Sequence, residues 1–284
     1  MVTQPSDTFT VGPLTLPKPA LLGVLNVTPD SFSDGGRYAT LDRAVAAAER
    51  MAAQGADLID VGGESTRPGA EPVSTEEELA RVVPVVEALA SRIATPISVD
   101  TSHPEVMRAA LAAGAQLVND VRALSRPGAL EAVAESDAAV CLMHMRGTPL
   151  TMQTNPDYAE VVDEVAAFLE HAVQRCEGAG ITRSRIMIDP GFGFGKTLQH
   201  NLTLLARLPE LQSTGCPVLV GVSRKSMFGQ LLDRAVDERL AGTLAAGQLA
   251  LDGGAHVLRV HDVAEHHDMR QVWQRVRALR HNST

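Results

Sequence analysis

Short apolar segments rich in β-branched residues recur along the chain, and each is followed by a stretch whose apolar residues have helical spacing. Most of these segments are continuous apolar runs rather than alternations of apolar and polar residues. Such runs are typical of strands buried on both faces of a parallel sheet. We therefore predict eight strands, at residues 21–28, 58–64, 96–101, 117–121, 139–145, 185–190, 217–223 and 256–261.

Helix signals occupy the intervals between these segments. Ser74 and Glu77 have the spacing of a capping box, and Pro104 opens a helix that Gly114 closes. Eight successive strand–helix units in 284 residues predict a (β/α)8 TIM barrel, because each parallel strand needs a crossover helix. A doubly wound open sheet is the alternative. Without a linker or a break in composition, we expect a single domain over 1–284, with a short N-terminal extension (1–20) and a polar tail (281–284).

Composition and charge narrow the classes of partner. A hydrophobic fraction of 45% with 21% charged residues supports a large core rather than disorder. The net charge of −9 argues against a nucleic acid or an anionic membrane as partner, although a small anion could still bind a local basic pocket.

The location can also be predicted from the sequence. Three isolated cysteines, Cys141, Cys176 and Cys216, suggest neither a disulfide framework nor a zinc site and favour a reducing compartment. The first residues lack the pattern of a signal peptide, and the apolar run at 240–251 is too short to cross a bilayer. We therefore expect a cytoplasmic protein.

Polar residues collect where each predicted strand ends. In chain order they are Asn26, Asp60 with Glu64, Asp100, Asn119 with Asp120, His144, Asp189, Arg224 with Lys225, and Arg259 with His261. In a barrel these positions converge on one mouth, the face that carries the active site of such enzymes. Each residue alone could simply mark where a strand meets solvent. Carboxylates inside apolar runs are harder to explain in this way, since a buried charge is costly without a partner.

Two kinds of group meet at this predicted mouth. Asp100, Asn119 and Asp189 offer acceptors and an amide, which suit the N–H-rich edge of a neutral heterocycle. Cations and donors that suit a phosphate or pyrophosphate come from four side chains, namely Arg67, Lys225, Arg259 and His261. Asn26 could bind Mg²⁺ through one oxygen, with the other ligands coming from substrate phosphates and water. It could equally be a turn residue before Pro29.

The glycine-rich segment GFGFGKT at 191–197 fits no nucleotide-binding motif. Pro190 stands where the first glycine of a P-loop is required, and the last glycine spacing of a dinucleotide fingerprint is wrong. We predict a loop that lets backbone or Phe194 approach a flat ligand, with Lys196 as a solvated charge at a helix start. His266 and His267 fall in a helix region, where we expect surface positions rather than a metal site.

Six motifs together resemble the dihydropteroate synthase family: NVTPDSFSDGG, IDVGGESTRPGA, SVDTS, DPGFGFGK, VGVSRKSM and RVHDV. The resemblance covers residues 21 to about 276. It implies condensation of 6-hydroxymethyl-7,8-dihydropterin diphosphate with 4-aminobenzoate, giving 7,8-dihydropteroate and pyrophosphate, with Mg²⁺ as cofactor. Members of this family are commonly homodimers and are targets of sulfonamides, which mimic 4-aminobenzoate.

The resemblance also implies a role for individual residues. Asn26 resembles the metal ligand. The pterin contacts would be Asp100, Asn119, Asp189 and Lys225, with Met143 and Phe194 as walls; the diphosphate contacts Thr66, Arg67, Arg259 and His261; and the 4-aminobenzoate contacts Phe32, Thr66, Pro68 and Ser226. The family mechanism is dissociative, which assigns catalysis to Asp100 beside the developing cation and to Arg67, Arg259 and His261 on the leaving group.

Three other functions remain open at this point. A pterin-binding methyltransferase would share the barrel and the pocket, but its reaction has no diphosphate for Arg67, Lys225 and Arg259 to neutralise. A Schiff-base aldolase could use Lys225 at a strand end. An inactive pterin-binding paralogue would keep the same motifs without turnover.

Overall fold

Parallel strands form a ring in the computed structural model, which describes residues 8–28, 37–65, 73–148, 151–152 and 156–281. The strands in chain order are β1 (Thr8–Val11), β2 (Leu14–Pro17), β3 (Ala20–Asn26), β4 (Leu58–Gly62), β5 (Ile97–Asp100), β6 (Leu117–Asp120), β7 (Ala139–Met143), β8 (Ile186–Asp189), β9 (Leu219–Val220) and β10 (Val257–Val260). The last eight pair in parallel in the order β8, β7, β6, β5, β4, β3, β10, β9. A single bridge between Ile188 and Val218 closes the ring. The predicted (β/α)8 TIM barrel is confirmed.

All eight predicted strand segments contain a strand of the ring. Every residue of β4, β5, β6, β7 and β8 is buried, as expected for strands covered on both faces. The observed strands end one to three residues before most of the predicted ones, because the polar residues that follow them already belong to the loops of the mouth.

Helices surround the ring. Within the described residues they are α1 (Arg37–Ala53), α2 (Thr75–Arg92), α3 (Pro104–Ala112), α4 (Ala129–Ala134), α5 (Val161–Gly178), α6 (Leu198–Ala206), α7 (Ser226–Leu232), α8 (Leu240–Asp252) and α9 (Val263–His281). Ser74 caps α2, its Oγ accepting a hydrogen bond of 3.2 Å from the Glu77 amide, and Pro104 is the first residue of α3, as predicted. None of the helices described here is long and apolar enough to span a bilayer.

The hairpin β1–β2 was not predicted: the first predicted strand begins at residue 21. Its two short strands pair antiparallel, with Val11 opposite Leu14. Val11, Leu14 and Leu16 are buried against a separate apolar cluster that contains Leu22 and Leu58 from the first residues of the ring strands. The hairpin therefore closes the N-terminal end of the barrel, opposite the mouth where the polar residues lie.

Candidate active site at the barrel mouth

The predicted pterin contacts lie together at the carboxyl ends of the strands. Asp100, Met143 and Asp189 are the last residues of β5, β7 and β8, and Asn119 is the penultimate residue of β6. All four are buried. Met143 packs in one apolar cluster with Phe194 of the loop after β8, so the two predicted walls are adjacent.

A network of buried carboxylates surrounds Arg259. Its Nε donates to Asp60 Oδ2 at 2.6 Å, and its Nη2 donates to Asp100 Oδ2 at 2.6 Å. Asp60 also accepts from Ser98 Oγ at 2.6 Å and from Asn119 Nδ2 at 3.0 Å. The guanidinium thus joins β10 to β4 and β5 across the mouth. Arg259, which was predicted to contact the diphosphate, is therefore also the hydrogen-bond partner of Asp100, which was predicted to contact the pterin.

The same network shifts the proton affinities of its members. Burial raises the pKa of Asp100 to about 7, although the Arg259 guanidinium opposes this shift. Burial disfavours the charged form of Arg259, but the Asp60 and Asp100 carboxylates outweigh it and raise its pKa. Arg259 therefore stays charged, while Asp100 titrates near neutral pH.

Asp189 and Lys225 lie close to Arg259: a Cβ on Gly221 would lie 3.8 Å from both Asp189 Oδ2 and Arg259 Cβ, and Lys225 follows β9, the neighbour of β10. Asp189 Oδ1 accepts from the Gly191 amide at 2.7 Å, and burial raises the pKa of this carboxyl. Lys225 precedes α7, and its Nζ lies 4.1 Å from the centroid of the Phe194 ring. Burial lowers the pKa of Lys225 to about 8. An acceptor and a cationic donor thus lie beside an aromatic wall, an arrangement suited to a flat polar ring.

His261 directly follows β10. Its backbone amide donates to Ser223 Oγ at 3.1 Å, and its Nδ1 lies 3.0 Å from the same oxygen. Ser223 follows β9, so this contact joins the loops after β9 and β10. Ser226, the first residue of α7, is exposed.

The oxygens near the end of β3 suit Mg²⁺. Asn26 is the last residue of β3, and a Cβ on the neighbouring Gly62 would lie 3.8 Å from Asn26 Oδ1 and 3.7 Å from Asp100 Oδ2. Both oxygens therefore border the same glycine. Amide and carboxylate oxygens are the ligands that Mg²⁺ prefers, usually with substrate phosphates and water.

A second group with metal-ligating side chains lies at the base of the loop after β4. Glu64, Glu78 and His103 place ligand atoms within 4.8 Å of one another, the one such trio in the portion of the chain described. Glu78 Oε2 already lies 2.5 Å from His103 Nδ1, and Glu64 Oε1 accepts from the Val73 amide at 3.4 Å. Imidazole is a poor ligand for Mg²⁺. Asn26 therefore fits this ion better than the trio does.

Four predicted site residues lie outside the described residues, namely Phe32, Thr66, Arg67 and Pro68. They belong to the segments 29–36 and 66–72 that follow β3 and β4.

Two predictions about charged residues are wrong. Lys196 is not solvated: it is 3% exposed, and its Nζ contacts His144 Nδ1 at 2.9 Å. His266 is buried rather than on the surface, with its Nδ1 2.7 Å from the Asp262 carbonyl oxygen. The sequence alone does not show this burial, because that of Lys196 depends on the backbone path of the loop after β8 and that of His266 on how α9 packs on the barrel.

No supporting role was predicted for three residues that the structure places in the site: Asp60 was predicted only to lie at the mouth, Lys196 only to be a solvated charge, and Ser223 was not singled out. Asp60 carried a usable signal, since it is a lone carboxylate inside an apolar strand, as Asp100 is. Lys196 carried a weaker one, because the chain has only three lysines.

Comparison with known proteins agrees with this geometry. The sequence profile of the family described as pterin binding enzyme matches residues 22–261. Dihydropteroate synthase of Escherichia coli (strain K12) is 57% identical over 252 residues, which cover 89% of each chain.

Solved structures lead to the same family. The Yersinia pestis dihydropteroate synthase, in a complex with a sulfonamide drug, superposes with a TM-score of 0.90 at 50% identity, covering 95% of this chain and 99% of that one. The Burkholderia cenocepacia enzyme complexed with 7,8-dihydropteroate has a TM-score of 0.87 at 46% identity, covering 97% and 98%. These chains are matched almost end to end, with the same barrel. The chain therefore belongs to the dihydropteroate synthase family of pterin-binding enzymes.

Proposed function

We propose that this chain condenses 6-hydroxymethyl-7,8-dihydropterin diphosphate with 4-aminobenzoate, forming 7,8-dihydropteroate and pyrophosphate. The observation that carries the proposal is the convergence of Asp100, Asn119, Asp189 and Lys225 on one mouth, within a chain similar to dihydropteroate synthases over nearly its full length. The alternatives, a methyltransferase, a Schiff-base aldolase and an inactive paralogue, gain no comparable support.

The pterin ring would lie between Phe194, Met143 and the strand ends. Its N–H-rich edge would donate to the carboxylates of Asp100 and Asp189, and the side chain of Asn119 would reach the same ring. The amine of Lys225 would donate to an acceptor on the ring. Burial of these groups is what makes such hydrogen bonds selective, since any one left unpaired is costly.

The diphosphate would lie toward the loops after β3, β4 and β10. We assign it to Thr66, Arg67 and His261, together with Arg259 at the inner edge. Arg259 shares its guanidinium with Asp60 and Asp100, so it would hold Asp100 in place as well as adding positive charge. If Mg²⁺ is the cofactor, Asn26 would hold it, and the ion would neutralise charge on the leaving pyrophosphate.

Bond cleavage would precede bond formation. As the C–O bond to the diphosphate breaks, positive charge develops on the pterin methylene, and the Asp100 carboxylate would stabilise it. The cations Arg67, Arg259 and His261 would stabilise the departing pyrophosphate. The arylamine needs no strong base, because it is already unprotonated at pH 7. We place 4-aminobenzoate against Phe32, Thr66, Pro68 and Ser226.

The test of this proposal is pyrophosphate release from the pterin diphosphate with Mg²⁺, measured with and without 4-aminobenzoate, with chromatographic detection of dihydropteroate. We expect release that depends on 4-aminobenzoate and is lost in Asp100→Asn. The matched control is Asp252→Asn, a change of the same chemistry at the far end of α8. Tight pterin binding without product would instead support an inactive paralogue or a methyltransferase.

Sulfonamides should compete with 4-aminobenzoate, because the sequence ESTRPGA at 64–70 is intact. Initial rates at several 4-aminobenzoate concentrations should give a sulfonamide inhibition pattern in which KM rises and kcat is unchanged. Inhibition that is insensitive to 4-aminobenzoate would contradict the assignment of this subsite.

We further propose a homodimer, a single domain and a cytoplasmic location. Large apolar side chains are exposed on α8 and α9, including Leu249 and Leu279, which offer a surface for a second copy. The three cysteines are buried free thiols, which fits a reducing compartment. Sedimentation equilibrium would test the dimer.

A further inference from the structure

In the loop that follows β8, residues 190–197, backbone carbonyls surround the side-chain nitrogen of Lys196. Its Nζ donates to the Gly191 carbonyl at 2.9 Å and to the Phe194 carbonyl at 3.1 Å, and it lies 3.5 Å from the His144 carbonyl. The fourth contact is His144 Nδ1 at 2.9 Å. Burial, together with the neighbouring Lys196 side chain, lowers the pKa of His144 to about 3, so this imidazole is neutral and accepts the hydrogen bond. Burial also lowers the pKa of Lys196 to about 7, although the Asp189 carboxylate opposes this shift, and Nζ donates hydrogen bonds in either protonation state.

The glycines explain why carbonyl oxygens gather at this point. Gly191 has a φ of +68°, and a Cβ there would lie 1.9 Å from the His144 carbonyl oxygen. Gly195 has a φ of +64°, and its Cβ would lie 2.4 Å from the Arg146 carbonyl oxygen. Only glycine permits this backbone path and this close approach. The path turns several carbonyl oxygens toward one buried point, where the N–H groups of Lys196 satisfy them.

The loop held in this way carries part of the candidate pterin pocket. Phe194, whose carbonyl is bound by Lys196, places its ring 4.1 Å from Lys225 Nζ. The Gly191 amide donates to Asp189. This loop, which Lys196 holds together, therefore contains one candidate pterin contact, Phe194. It touches two others, Asp189 and Lys225.

We propose that Lys196 is a positioning residue for pterin recognition: its buried Nζ donates hydrogen bonds to the carbonyls of the loop and thereby holds the Phe194 ring against Lys225. Lys196 itself does not reach the reacting atoms. The inference depends on the proposed function only in taking the bound ligand to be the pterin.

The chain offers a well-matched set of variants, because its only lysines are Lys18, Lys196 and Lys225. Lys196→Met removes the hydrogen-bonding amine and keeps the bulk of the side chain. Lys18→Met makes the same change at the opposite end of the barrel, where Lys18 Nζ contacts His256. For Lys196→Met we expect the KM for the pterin diphosphate to rise roughly 10- to 100-fold, with kcat at saturation nearly unchanged. Lys18→Met should leave both constants unchanged.

A second readout needs neither turnover nor pterin. In protein labelled with ¹³C at lysine Cε, the ring of Phe194 should shift the Lys225 resonance away from its ordinary position. This ring-current shift should be lost in Lys196→Met and in Phe194→Leu, and kept in Lys18→Met. If the wild-type chain shows no turnover, the proposed function fails, while this spectrum still tests the placement of Phe194.

An unchanged KM in folded Lys196→Met, or a retained ring-current shift, would overturn the inference. A lowered Tm with unchanged KM would reduce Lys196 to a purely structural residue. Should Lys196→Met not fold, Lys196→Gln replaces it, because an amide still donates to the Phe194 carbonyl. It should give a smaller KM increase in the same direction, and an unchanged KM would again refute the inference.

Discussion

At the scale of single residues, the mouth of the barrel is an arrangement of buried charges that satisfy one another before any substrate arrives. Asp60 accepts hydrogen bonds from Ser98, Asn119 and Arg259, so its carboxylate is fully compensated inside the barrel. Asp100 shares only the Arg259 guanidinium in this network and keeps acceptor capacity for a ligand. The two aspartates look alike in sequence, but their hydrogen bonds differ, which favours Asp60 as a supporting residue and Asp100 as the candidate binding residue.

Pterin binding should weaken as the pH falls through about 7. Burial raises the Asp100 pKa to that value, and the protonated carboxyl loses acceptor capacity for the N–H groups of the ring. Well below pH 7, affinity should fall about tenfold per pH unit. Calorimetry with 6-hydroxymethyl-7,8-dihydropterin, which lacks the titrating diphosphate, measures this between pH 5.5 and 7.5. Asp100→Asn should abolish the dependence, and a slope that survives in Asp100→Asn would assign it to another group.

Lys225→Ala and Arg67→Ala should affect different constants. Loss of the Lys225 amine removes a charged hydrogen bond to the pterin, so Kd for the pterin diphosphate should rise roughly 10- to 100-fold. Loss of Arg67 removes stabilisation of the leaving group, so kcat should fall on the order of 100-fold. Calorimetry beside steady-state kinetics separates the two effects. Identical behaviour of the two variants would contradict the separate pterin and diphosphate subsites.

At the scale of elements, the ring strands could be predicted because most are apolar runs that end in polar residues, as in β6 and β8. The β1–β2 hairpin could not, since threonines interrupt its apolar residues and no polar cluster follows either strand. The same distinction holds in the site. Asp100 and Asn119 are marked by their apolar neighbours, whereas the burial of Lys196 depends on a backbone path that only the folded loop shows.

Leu16→Ala should test the hairpin as part of the barrel core. Leu16 is 2% exposed and packs among the first residues of the ring strands, so truncation should lower the free energy of unfolding by about 2–5 kcal/mol. Thr15→Ala, on the exposed side of the same strand, should change it by less than about 0.5 kcal/mol. Urea unfolding measures both. Equal, small effects would mean that the barrel end is stable without the hairpin.

At the scale of the whole molecule, the candidate ligand contacts come from strands around the ring, so ligand binding should stabilise the barrel as one unit. A pterin at about 100 times its Kd should add roughly 2.7 kcal/mol. For a chain of this size that corresponds to an increase in Tm of roughly 5–10 °C. Calorimetric melting should show a single transition that moves as a whole. Two transitions, of which one moves, would contradict the single domain.

Strand pairing in the ring is shortest between β8 and β9. β9 has two residues, and one bridge, Ile188 to Val218, joins the two sides. Asp189 comes immediately after Ile188, and Lys225 follows β9. A pterin hydrogen-bonded to both residues would link the β8 and β9 sides through its own polar atoms, at the place where the fewest backbone hydrogen bonds join neighbouring strands. Binding of the substrate would then also strengthen the contact between β8 and β9.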